Sequence, residues 1–127
     1  MPSSITLQDG IINYFFRNQV VTQPSTWFVG LFTDDPGEAG DQNEVAVSGY
    51  ARQSVTFIAP LSGDSYNSAL LNFGTPTTEW GTLTYWGIFT AVSGGAALAY
   101  GRLDEDIVTD TDNAVKIGAG ALKLSAS

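Results

Sequence analysis

Thr26-Trp27-Phe28-Val29-Gly30-Leu31-Phe32-Thr33 sets Trp27, Val29 and Leu31 at alternate positions and Phe28 and Phe32 at the positions between them. Successive side chains of an extended chain point to opposite faces, so this stretch is a strand with apolar residues on both. Neither side reads as a solvent face, which predicts a strand in the middle of a sheet or at an interface. Gly30, in its centre, predicts a bulge or a close approach by another part of the chain. The design returns at 83–91, where Trp86, Ile88 and Phe89 surround Gly87. These two blocks decide the fold class: mainly β.

Outward from them the chain divides plainly. Before the first block, Leu7, Ile11, Ile12, Phe15 and Phe16 recur at spacings of three and four, which predicts a short N-terminal helix over about 6–18. Gly10 inside it costs about 1 kcal/mol relative to alanine. After the block, residues 34–49 are rich in Asp, Glu, Gly and Pro and have no periodicity, so they read as a long mobile acidic loop. Further strands are expected at 50–58, 69–73, 97–103 and 121–124, with a short element at Ile107-Val108. Ser93-Gly94-Gly95 marks a hairpin, and 104–106 and 110–113 read as polar turns. Roughly six to eight short strands at about ten-residue spacing favour an antiparallel β-sandwich or a jelly-roll-like barrel. A length of 127 residues fits one such domain, 1–127.

Composition supports a self-sufficient core. The chain holds 3 Trp, 5 Tyr and 7 Phe and no Cys, so neither disulfides nor thiolate chemistry enter. Charged residues make up only 14 %, against roughly 25 % in ordinary soluble domains. Asp and Glu outnumber Lys and Arg by 13 to 5, a net charge of -8. Arg17, Arg52, Arg102, Lys116 and Lys123 are scattered, which argues against a nucleic-acid partner. So few charges suit a subunit covered by neighbours, and equally a hydrated surface rich in Gly, Ser and Thr. Met1-Pro2-Ser3-Ser4 does not open a secretory signal, and no apolar run approaches the ~18 residues of a membrane span.

Chemistry is scarce. Without His or Cys, the commonest general base, thiol nucleophiles and ordinary zinc sites are missing, and no phosphate-binding glycine loop occurs. Asp34-Asp35 and Asp104-Glu105-Asp106 could pair carboxylates, but they sit in turn-like segments that read as solvated. Asp110, Asp112 and Asn113 offer oxygens at the close spacing of a calcium loop, and Asp34, Asp35, Glu38, Asp41 and Glu44 form a second oxygen-rich run. The first lacks the glycine and the distant glutamate of an EF-hand, and an acidic turn explains either. The reading is no enzyme, no cofactor and no metal, with Asp110, Asp112 and Asn113 as the calcium candidates. Trp27 and Trp86, in mid-strand, are expected in the core. Trp80 follows a Thr-rich turn and is expected to be exposed, where its flat face could meet a sugar.

A set of residues in fixed order carries a resemblance. It runs from 11–17 through Trp27-Phe28-Val29-Gly30-Leu31-Phe32-Thr33-Asp34-Asp35-Pro36, Glu44-Val45 and Gly49-Tyr50-Ala51-Arg52-Gln53-Ser54-Val55-Thr56-Phe57. Asn67, Phe73, Trp80-Gly81, Trp86-Gly87-Ile88-Phe89, Gly94-Gly95 and 118–124 complete it. In these the chain resembles a family of short tailed-bacteriophage virion proteins commonly labelled tail fiber protein, a size class that includes capsid decoration, or cement, proteins. Thr90 departs from the acidic residue expected there. The resemblance implies no catalytic residue. It implies a virion component made in the host bacterial cytoplasm, with the major capsid protein and copies of itself, as a homo-trimer, for partners. No membrane is involved. The expected role is head decoration; the alternative is a tail fibre or tail-tip part that touches a host-surface glycan. Phe15, Phe16, Arg17, Asp34, Asp35 and Trp80 are the interface candidates.

Overall fold

The computed structural model describes residues 5–20 and 26–125; residues 1–4, 21–25 and 126–127 lie outside the description. One helix, α1 (Ile5–Phe16), precedes the strands β1 (Trp27–Phe32), β2 (Gln53–Val55), β3 (Asp64–Tyr66) and β4 (Leu71–Gly74). Then come β5 (Thr82–Phe89), β6 (Ala99–Val108), β7 (Val115–Ile117) and β8 (Lys123–Ser125). All strand pairs are antiparallel, in a four-stranded sheet of order β2-β1-β5-β6 and two two-stranded ladders, β3-β8 and β4-β7. The chain is mainly β, with one short helix, consistent with a β-sandwich.

β1 is central, as its two apolar faces require. Phe28 pairs with Phe89, Gly30 with Gly87 and Phe32 with Tyr85, while Trp27 pairs with Val55 on the other side. Alternation sends Val29, Leu31, Trp86 and Ile88 to one face, where they join Leu71 and Phe73 of β4, Val115 and Ile117 of β7, and Leu122 in one buried cluster. Each such side chain fully buried is worth about 1.5–3 kcal/mol. The ladders therefore form the second layer of the sandwich. Trp86 lies across Gly101 of β6, whose missing side chain makes room for the indole.

The opposite face carries Phe28, Phe32, Tyr85 and Phe89, joined by Ala97. Phe32 and Phe89 stack with ring centroids 5.9 Å apart. No ladder covers this face; segment 34–49 and the connection between β5 and β6 do. That segment is not the free mobile loop its composition suggests. Thr33 N–H donates to Asn43 O at 3.0 Å, Val45 N–H to Leu31 O at 3.0 Å and Ala97 N–H to Gly40 O at 2.8 Å. Pro36 and Val45 are buried. Two apolar anchors and a run of backbone bonds outweigh the absence of periodicity.

Two boundaries also differ from expectation. The strand expected over 50–58 shrinks to Gln53–Val55. The turn expected at 104–106 is instead the middle of β6, which runs on to Val108 because a register shift between Leu83 and Tyr85 of β5 lets it continue pairing. Leu103 turns inward, while Asp104, Glu105 and Asp106 face solvent from this edge strand. The N-terminal helix ends close to its expected limit. Asn18 adopts φ 53°, and Gln19 N–H turns back to Asn13 O at 3.0 Å.

Candidate functional site

The densest polar arrangement lies beneath segment 34–49, on the aromatic face of the main sheet. Arg52 immediately precedes β2 and is only 6 % exposed. Its Nε donates to Glu44 Oε2 and its NH2 to Glu44 Oε1, both at 2.8 Å, a two-pronged pair. Its NH1 donates to the carbonyls of Ala91 at 2.9 Å and Gly94 at 2.8 Å. The guanidinium lies 3.4 Å over the centre of the Phe89 ring. One side chain thus holds three things together: the acidic segment, the connection between β5 and β6, and the aromatic face.

Tyr50 completes the cluster. Its hydroxyl donates to Glu44 Oε2 at 2.7 Å and accepts from Leu31 N–H at 2.9 Å, and its ring meets Trp80 edge-on. Burial first, then the bond to the Glu44 carboxylate, raise the phenol well above its ordinary range, against an opposing pull from the Leu31 N–H and the Arg52 charge. Tyr50 therefore stays a neutral donor. Gly30 is what leaves room for the cluster. A Cβ there would stand 2.7 Å from Glu44 Oε2 and from the Phe89 ring, and 3.1 Å from the Tyr50 hydroxyl. The close approach that Gly30 announces in the sequence is this one. Its partners were not legible: Arg52 alternates with Ser54 and Thr56 and reads as an exposed residue, and Glu44 belongs to a segment without pattern.

A second polar pin joins the ladders. The buried Asn67 donates from Nδ2 to Ala69 O and Gly118 O, each at 3.0 Å, and accepts from Leu122 N–H at 2.9 Å. Every one of these bonds fastens chain to chain.

The residues singled out in the sequence are scattered. Phe15 and Phe16 on α1 are 70 % and 80 % exposed, and Arg17 donates to Asn13 Oδ1 at 2.9 Å. Asp34 and Asp35 are exposed, and both shape their own turn: Asp34 Oδ1 accepts from Asp35 N–H and Asp35 Oδ1 from Gly37 N–H, each at 2.8 Å. Trp80 corrects the expectation of an exposed sugar platform, for it is only 4 % exposed. Its backbone N–H donates to Thr109 Oγ1 at 2.9 Å and its ring meets Tyr50, contacts from distant segments that a Thr-rich neighbourhood does not reveal.

At the calcium candidates, Asp110 Oδ1 accepts from the backbone N–H of Asp112 at 2.9 Å and of Asn113 at 2.8 Å, and the Asn113 amide also donates to it. These bonds, the Asn113 side chain first, hold the Asp110 carboxyl below its ordinary range. They make an aspartate-closed turn. Among the described residues no group of three or more His, Cys, Asp or Glu is placed to hold a metal ion, and no helix is long and apolar enough to cross a membrane. One open groove of about 280 Å³ lies beside β2, lined in part by Trp27, Val55, Leu70 and Leu71.

A small antiparallel body in which the buried Arg52 and Asn67 and the half-buried Glu44 and Tyr50 fasten segment to segment, with an exposed apolar helix beside it, has the make-up of an assembly subunit. Comparison with known families agrees. The model of the family described as podophage GP4 fiber I protein gp80 matches residues 2–125, and the chain belongs to that family. It is thus a fibre-type structural component of a phage virion. No curated protein matches the chain.

Proposed function

We propose that the chain is a decoration, or cement, protein that binds the outer face of the phage head and bridges neighbouring capsomers. The observation that carries this reading is the form of the described chain. Residues 26–125 fold back into one short sandwich in which even the acidic segment is pinned by Arg52, with no extended repeating stretch such as a fibre stem requires. A stiff body bridging two capsomers resists their separation, and a subunit that binds only the assembled shell stabilises it by mass action. The net charge of -8 favours a position away from packaged DNA. The exposed acids Asp34 and Asp35 would face the capsid protein, and the role involves neither a catalytic step nor a cofactor.

The family description itself favours a second reading, a tail fibre or tail-tip component that contacts a host-surface glycan. Counting copies in purified virions separates the two. Hundreds of copies, with heads that break at lower temperature when the protein is absent, support decoration. A handful of copies, with purified protein that binds host cells and heads indifferent to its loss, would overturn it.

A further inference from the structure

The helix α1 is out of keeping with the rest of the molecule. Ile11, Ile12, Tyr14, Phe15 and Phe16 are all at least 44 % exposed, and Val20 just beyond is almost wholly so. Around the helix axis Tyr14, Leu7, Ile11, Phe15, Ile12 and Phe16 span about 200°, at about 100° per residue, with the polar Gln8 standing between Phe15 and Ile12 and dividing them into two apolar stripes. Asp9, Gly10 and Asn13 occupy the remaining side. A helix that packs against one surface needs an apolar arc of only about 100°. An arc twice that width is covered when the helix lies between two neighbours.

Area points the same way. At about 150–250 Å² per ring, the exposed parts of Tyr14, Phe15 and Phe16 alone present about 400 Å², and Ile11, Ile12 and Val20 bring the total near about 700 Å². A standard interface buries about 800 Å² on each partner, whereas a monomer rarely leaves more than about 300–600 Å² of contiguous apolar surface in water. The helix also needs the cover. At 12 residues, with Gly10 inside, it is marginal in isolation and depends on packing.

Charge selects the occupant. Within residues 1–20 Asp9 and Arg17 cancel, so the other residues carry the whole net charge of -8. Two copies meeting body to body would press like charge on like; two meeting through α1 would not. The groove beside β2, at about 280 Å³, is large enough for a ring or two but cannot enclose so wide an arc.

We infer that α1 is the self-association element: copies of this chain join by packing each α1 between two others, in a closed cluster of at least three. The inference holds for a head or a tail position alike, so a copy count against decoration would leave it standing. Its test is the mass of the full chain in solution across the micromolar range, at low and at high salt. The wild type is expected at no less than three times its 13.5 kDa, held at least as firmly in high salt, which screens the repelling bodies. The double variant Phe15→Ser, Phe16→Ser is expected to fall to 13.5 kDa while the near-ultraviolet signal of the buried tryptophans and the unfolding midpoint of the monomer stay unchanged. Phe15→Leu with Phe16→Leu should keep the assembly, and so should Leu70→Asp in the groove. A monomeric or dimeric wild type overturns the inference. So does assembly that survives the double serine variant, or that Leu70→Asp abolishes.

Discussion

The two faces of the main sheet are built from the same strands and sealed in different ways. Behind one, Val29, Leu31, Trp86 and Ile88 meet the ladders in a dry apolar layer that asks only for volume and shape. Over the other, Phe28, Phe32 and Phe89 meet an acidic segment that has little apolar surface to offer, and the closure rests on the Arg52–Glu44 pair. The first kind of seal is spread over many contacts and loses a little with each change. The second is concentrated in a few groups and fails when one of them goes. It also lets a segment rich in acids close over aromatic rings with both carboxylate oxygens of Glu44 paired.

Changes that strike one face and spare the other can break this contrast. The largest effect is expected from Arg52→Ala, which leaves the half-buried Glu44 carboxylate and two carbonyls without their donor. Breaking a pair of this kind costs about 3–5 kcal/mol in a denaturant titration. Arg52→Lys should recover only part, since an ammonium cannot make the two-pronged pair or stack on Phe89. If Arg52→Ala costs under about 1 kcal/mol, ordinary for an exposed pair, the aromatic face is sealed by its rings alone. Leu31→Ala, on the dry face, is expected to cost about 2–5 kcal/mol. Unlike Arg52→Ala, it should leave amide exchange in 34–49 almost as slow as before.

Gly30→Ala sharpens the contrast, because it pushes a methyl into Glu44 and Phe89 at 2.7 Å, for an expected cost of about 1–3 kcal/mol. Gly118→Ala meets nothing within 4 Å and serves as the control, at zero or a slight gain. The smallest effect is a response to pH. The Tyr50 phenol is raised, so the folded state keeps its proton where the unfolded chain loses it. That contribution is complete below about pH 10 and declines above it, by about 1.4 kcal/mol per pH unit. Tyr50→Phe should flatten the alkaline limb of a stability–pH curve; an unchanged limb would remove Tyr50 from the seal.

Much of this fold was legible because β1 and β5 are long enough for alternation to show. Both apolar faces of β1 follow from eight consecutive residues, which narrow its place to the middle of a sheet or an interface and Gly30 to a bulge or a close approach. β3 and β7 have three residues each, too few for a period, and β3 finds its partner β8 at the far end of the chain. The polar seal was hidden for another reason. Arg52, Glu44 and Tyr50 are ordinary surface types that become buried only because distant segments converge on Gly30. Trp80 misled in the same way, its cover coming from Tyr50 and Thr109. The wide apolar side of α1 was visible from the first turn, since helical spacing needs no partner to be read.

The central place of β1 has a consequence in time. It is the first of the described strands to be made, yet Phe28 must wait for Phe89 and Phe32 for Tyr85 before either face is enclosed. At about 5–20 residues per second, some 60 residues of synthesis keep this strand waiting for roughly 3–12 s, and the last ladder strands for longer. During those seconds the nascent chain displays its most adhesive segment with only the three residues of β2 to pair with it. A particle that needs many subunits at once would gain from slow initiation or a chaperone long before any subunit reaches its place.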